Sequence, residues 1–233
     1  MTDRLERWAA TLRATHRWDP PAVPTVVVAP HPDDEVLMAG GLISRQRARG
    51  VAVTVLAVTD GDAAYPGAVD GRVLGAIRAR EQAAALAALG VPGGDIVRLG
   101  IPDGAVAEHE DRLAEAIAAL AARHEILVAP WEGDHHADHE ACGRAARRGA
   151  RAVGVPLVQG LFWTWHHRSP EALEDLDLLS LELDPDERAT RDAAMACHAS
   201  QVADAVVQIP LLDADDLAPL GWSAEHFVDR RDD

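Results

Sequence analysis

The chain has 233 residues, 48% of them apolar and 26% charged, enough for one well-buried α/β domain and short for two. Its formal net charge of −16 argues against nucleic acid and anionic membrane surfaces as partners, and no apolar run approaches the roughly 18 residues that span a bilayer. All 22 basic residues are arginine, which rules out chemistry that needs a Schiff-base or P-loop lysine.

Residues 1–20 read as a short amphipathic helix carrying Leu5, Trp8 and Leu12 and ending near Asp19-Pro20. The mixed charges of its first residues lack the apolar core of a secretory signal, so a cytoplasmic location is expected. Residues 25–29 form a buried strand, punctuated by Pro30 and Pro32. Gly40-Gly41 precedes a helix running to about Arg49. The continuous apolar run 51–58 is a strand buried on both faces, as in a parallel sheet. A loop with Gly61, Tyr65 and Pro66 leads to a helix over 74–89, stopped by Gly90 and Pro92. A strand over 95–99, a helix over 110–123, a strand over 126–129, a helix over 137–150 and a strand over 155–160 follow. Beyond residue 160 the pattern weakens: an aromatic stretch from Phe162 to His167, a helix over 185–199, and a mixed tail with Asp213, Asp215, Asp216, Asp232 and Asp233.

This alternation predicts an α/β fold: a Rossmann-like open, mostly parallel sheet with helices on both faces, one domain over 1–233 with its core at about 24–201. Cys142 and Cys197 lie in no CxxC pair and are expected to be free thiols.

Two charged clusters follow strands at the predicted carboxyl edge, where such sheets place their sites. The first is His31-Pro32-Asp33-Asp34-Glu35, after the strand at 25–29; the second is Asp134-His135-His136-Ala137-Asp138-His139, after the strand at 126–129. Asp103 lies at the same edge. A catalytic zinc site takes imidazole and carboxylate ligands and keeps one position for water. Candidates are His31, Asp33, Asp34 and Glu35 from the first cluster, and His135, His136, Asp138 and His139 from the second. Adjacent Asp33 and Asp34 cannot point the same way, so one can coordinate while the other faces the water as a base. His136 and His139 share a face at the start of a helix, and Asp138 can orient one of the histidines. The commonplace alternative for the Asp-Asp pair is a helix N-cap.

The residues Ala29-Pro-His-Pro-Asp-Asp-Glu35 resemble the (A/P)HPDDE signature of the PIG-L/LmbE-like deacetylases, and His136-Ala-Asp-His139 their H-x-D-H. Further similar segments are Arg78-Ala-Arg-Glu81 with Leu89-Gly90, Leu99-Gly-Ile-Pro-Asp103-Gly104, and His198-Ala-Ser-Gln201. The resemblance implies a zinc-dependent hydrolase that removes an N-acetyl or related N-acyl group from an amino sugar or glycosylated small metabolite. It implies His31, Asp34 and His139 as metal ligands and Asp33 as general base. It assigns His136 to the oxyanion or to acid duty, and Arg78 and Asp103 to the substrate. The extra His135 leaves a shifted assignment open. Nitrogen and oxygen ligands also suit Fe²⁺, and a homo-oligomer is allowed. A metal-dependent amidase or esterase of a non-sugar acyl substrate is the alternative. Trp131, Trp163 and Trp165 are divided between sugar platform and core, and Tyr65 sits in a loop of the kind that gates sites.

Overall fold

The computed structural model describes residues 2–203 and 210–232, with side chains described from residue 6 onward. Asp233 and the side chain of Leu5 lie outside the described residues. In chain order the elements are α1 (Thr2–Arg13), β1 (His16–Arg17), β2 (Thr25–Ala29), α2 (Asp34–Ala48), β3 (Val53–Ala57), α3 (Gly71–Ala88), β4 (Ile96–Arg98), α4 (Glu110–Ala121), β5 (Ile126–Pro130), α5 (Ala137–Val153), β6 (Leu157–Gly160), α6 (Thr164–His167), β7 (Leu178–Glu182), α7 (Pro185–Met195), α8 (Ala199–Val202) and β8 (Ala224–Arg230).

Among the described residues eight strands form one sheet in the order β1-β7-β8-β6-β5-β2-β3-β4. All neighbours run parallel except β8, which is antiparallel to both β6 and β7. The alternation of β2 divides the core. Val27 and Ala29 face a cluster with Val36, Leu42, Ile43, Leu86 and Met195 of α2, α3 and α7. Val26 and Val28 face Leu113, Ile117, Ala141 and Cys142 of α4 and α5. Helices therefore cover both faces; β2 and β5 are buried throughout, and β3, within the run expected to be buried on both faces, is buried except at the half-buried Thr54.

Several local expectations are corrected. The N-terminal helix stops at Arg13, and residues 16–17 turn into a strand. The helix expected after Gly40-Gly41 begins at Asp34 and carries both glycines inside it, with a kink at Ala39. Just past the kink, the buried Glu225 carboxylate on β8 accepts from the Gly41 and Leu42 amides, at 2.6 and 2.9 Å. The helix over 185–199 is broken into α7 and α8. The polar tail supplies β8, a strand the sequence does not announce. Cys142 and Cys197 are free thiols. Among the described residues no helix is long and apolar enough to cross a membrane.

Candidate metal centre and active site

β2 and β5 lie side by side in parallel register, so the turns after their carboxyl ends meet. The first turn carries His31 to Glu35 and the second carries Asp134 to His139. The β4 side contributes Asp103, whose position at the same edge is as expected.

Asp33 sits at the N-cap of α2 with φ 142° and ψ −31°, a left-sided backbone unusual for a residue with a side chain. Such a conformation costs on the order of 1–3 kcal/mol and persists only where its surroundings impose it. Its side chain makes no capping hydrogen bond. Asp33 thus holds the N-cap position without capping through its side chain, and its carboxylate lines the cavity instead.

Asp34 Oδ2 is the meeting point of the two clusters. It lies 3.1 Å from His31 Nδ1 and 3.1 Å from His139 Nε2. His139 Nδ1 is 3.0 Å from Asp134 Oδ2, and Asp134 is fully buried. The other oxygen of Asp134 accepts from the Phe162 and Thr164 amides and the Thr164 hydroxyl. An imidazole held at Nδ1 in this way presents Nε2. That Nε2 is buried and makes no hydrogen bond of acceptable geometry among the described residues, despite its closeness to Asp34. Two of the three donor separations are close to the roughly 3.3 Å edge of a tetrahedral site with bonds of about 2.0–2.1 Å. The residues present thus fit a divalent cation. His31 also groups with His136 and His139, and with Asp103 and Asp138, as donor sets of metal-binding dimensions.

Asp138 orients a histidine as expected, but the histidine is His31 from the other cluster, 3.2 Å away at Nε2. Asp103 Oδ1 lies 3.2 Å from the same nitrogen. Asp138 is itself fixed by the Gly104 and Val106 amides. The two adjacent histidines part in the structure. His136 lines the cavity, its ring 4.9 Å from those of His31 and His139. His135 is exposed, adopts φ 67° and stacks on His167.

The electrostatics separate the paired carboxyls. Burial, then the charge of Asp34, pushes Asp33 well above the usual carboxylate range. Burial opposes the charge of Asp34 too, but His139 and His31 outweigh it and hold that carboxyl well below its usual value. Burial, aided by His139 and His31, lowers His136 to about 4, so its imidazole is neutral near pH 7; among the described residues its buried Nδ1 has no hydrogen-bond partner.

The cavity measures about 160 Å³, with His31, Asp33, Asp34, Arg78, Asp103 and His136 on its polar side and Trp163, Leu211 and Leu212 on its apolar side. Of the three tryptophans in question, only Trp163 reaches it; Trp131 and Trp165 pack in a core cluster with Trp8. Arg78 is buried, and its guanidinium is engaged by the protein: it donates to the carbonyls of Gly61 (2.9 Å) and Pro32 (3.3 Å) and to Gln201 Oε1 (2.5 Å). It lies 3.7 Å from Asp33 Oδ2. Gly61, at φ 63°, is required here because any Cβ would occupy the space of that guanidinium. Glu35 turns away from the cavity and accepts from Gln82 Nε2 at 2.9 Å. Tyr65 donates to the Ser200 carbonyl at 3.2 Å. Asp134, which holds His139 at Nδ1, is the site residue that sequence reasoning passed over, although it opens the second cluster.

A histidine–carboxylate cavity at the carboxyl edge of an open, mostly parallel sheet, with a metal-competent donor set and a separate strained carboxylate, defines a metal-dependent hydrolase. Residues 26–150 match the PIG-L family, described as GlcNAc-PI de-N-acetylase, and the chain belongs to that family. It is 30% identical over 216 residues to a 1D-myo-inositol 2-acetamido-2-deoxy-alpha-D-glucopyranoside deacetylase of Corynebacterium glutamicum, covering 76% of this chain and 74% of that protein. Its fold is shared with the N,N'-diacetylchitobiose deacetylase of Pyrococcus horikoshii (18% identity, 88% of this chain and 81% of that one, TM-score 0.63). The same holds for a deacetylase of the teicoplanin biosynthesis pathway (20% identity, 88% and 96%, TM-score 0.68).

Proposed function

We propose that this protein hydrolyses the N-acetyl group of a small amino-sugar conjugate, with His31, Asp34 and His139 holding a divalent cation, zinc foremost. The observation that carries the reading is the division of labour between neighbours. Asp34 Oδ2 is shared by His31 and His139, while Asp33 is turned into the cavity without a capping role. A bound zinc supplies Lewis acidity and lowers the pKa of a water in the cavity.

Asp33 accepts a proton from that water as the water oxygen bonds to the acetamide carbonyl carbon. Its raised pKa makes it a stronger base than an exposed carboxylate. His136, neutral and facing the cavity, donates a hydrogen bond to the developing oxyanion. Asp33 then returns the proton to the nitrogen as the C–N bond breaks, leaving acetate and a free amine. A carboxyl whose environment favours its protonated form suits that return, so we assign the acid duty to Asp33. Asp103, at the cavity wall, offers a carboxylate to substrate hydroxyls. Arg78 lines the same wall, with most of its donors already used by the protein. The 160 Å³ cavity suits a short acyl group, with the rest of the conjugate against Trp163, Leu211 and Leu212.

The test is acetate release from N-acetylglucosamine conjugates, with metal content measured in parallel. Wild type is expected to lose turnover on chelation and recover it with zinc. Asp33→Ala is expected to keep its metal and lose on the order of 10²–10⁴ in kcat. An Asp33→Ala enzyme with wild-type turnover would remove Asp33 from proton transfer.

A further inference from the structure

Asp33 does not hold its strained backbone by itself, and the residue that holds it comes from the far end of the fold. Gln201, on α8, is fully buried 169 positions away from Pro32. Its Nε2 donates to the Pro32 carbonyl at 2.6 Å, and its Oε1 accepts from Arg78 Nη2 at 2.5 Å. Arg78 Nη2 also donates to the Pro32 carbonyl, at 3.3 Å, and lies 3.7 Å from Asp33 Oδ2.

The Pro32 carbonyl belongs to the peptide that joins Pro32 to Asp33. The unusual φ of 142° is the rotation that immediately follows that peptide plane. Two donors on one carbonyl oxygen fix the plane, and Arg78 faces the carboxylate from the same side. One primary amide therefore sets the backbone of Asp33 directly and its side-chain partner through Arg78.

We infer that Gln201 is a positioning residue: by clamping the Pro32 carbonyl and Arg78 together, it holds the Asp33 carboxylate in its working orientation. The inference rests on the role of Asp33 proposed above. It needs a group that donates and accepts at once, which a glutamine supplies and a glutamate or methionine of similar length does not. The clamp is separable from the anchoring of α8. Ser200 binds Glu81 through both its amide (2.8 Å) and its hydroxyl (2.5 Å). The Gln201 backbone carbonyl accepts from Leu212 at 2.9 Å, which ties in the apolar wall of the cavity. A side-chain substitution leaves these bonds in place, so substrate binding is expected to survive while the chemical step fails.

The experiment compares wild type with Gln201→Met and Gln201→Glu, each also combined with Asp33→Ala. Expected are unchanged metal content and KM within about twofold, with kcat lower by on the order of 10²-fold in both single variants. No further loss is expected when Gln201→Met is added to Asp33→Ala, because both act through one group. Wild-type kcat in Gln201→Met, or a full additional loss in the double variant, would overturn the inference. Crystal structures of wild type and Gln201→Met decide it without any assay. Asp33 is expected to leave positive φ, or its carboxylate to swing out of the cavity, in the variant. An unmoved Asp33 refutes the clamp. If wild type instead releases no acetate from any N-acetylated sugar, the proposed reaction fails, and the crystallographic comparison still judges the clamp.

Discussion

Adjacent aspartates meet opposite fates here because the backbone between them is bent at a price. Asp34 enters a helix and joins two imidazoles, while Asp33, at φ 142°, is left outside their reach. The pairing of clusters was legible in the sequence, since each follows a strand and parallel neighbours bring such turns together. What each residue does to the next was less legible. Asp134 acts on His139 and Asp138 acts on His31, so the second cluster's two spare carboxylates serve imidazoles of different clusters, chosen by three-dimensional placement. Asp134→Ala removes the acceptor that fixes His139 at Nδ1. It is expected to weaken metal affinity by about 10–100-fold, measured by competition with a chromophoric chelator, while Asp33 chemistry in the fully loaded enzyme is largely retained. Arg78 shows the converse: its position in a family-like segment suggests substrate contact, but its fork is mostly spent on Gly61, Pro32 and Gln201.

The elements bring these residues into register through close approach. Gly143 of α5 packs against the end of β5, where a Cβ would fall 2.6 Å from the Glu132 amide nitrogen and 2.8 Å from the Pro130 carbonyl oxygen. Backbone cannot yield as a side chain does. Gly143→Ala is expected to push α5, which carries Asp138 and His139, away from β5. The expected cost is about 1–3 kcal/mol of stability by denaturant titration, with a parallel loss of metal affinity. A neutral substitution would show that α5 has slack. The same kind of contact explains the misplaced start of α2. Glycines usually mark helix ends, but Gly41 lies inside because Leu183 and Glu225 press on it. β2, β3 and β5 were readable because strands buried on both faces are uniformly apolar. β8, with Glu225 and His226, was not, because these polar residues are buried by partners distant in sequence.

Across the whole molecule, burial of neutral histidines makes stability depend on pH. His226 is buried with its ring edge-on to Trp165 and Trp222, and burial lowers it to about 4. Unfolded, it titrates near 6.5. Its contribution is therefore complete above pH 6.5 and is lost as pH falls toward 4. Between pH 7.5 and pH 5 this amounts to about 2 kcal/mol, and His226→Phe is expected to reduce the acid loss by that amount in denaturant titrations at the two pH values. An equal loss in both proteins would show that His226 does not titrate on unfolding. The place of β8 has a consequence in time. Among the described residues β1 and β7 reach the rest of the sheet through β8, the last strand in chain order, whereas β2-β3-β4 and β5-β6 join through crossovers between neighbours and β5 returns from β4 to pair with β2. Long-range pairing is slow to nucleate, so pulse-labelled exchange during refolding should protect β2, β3 and β5 before β1 and β7; simultaneous protection would contradict this order. Every proposed metal ligand lies in the early half and Gln201 in the late one, so a cation can seat itself in the nascent protein before the base is drawn into line.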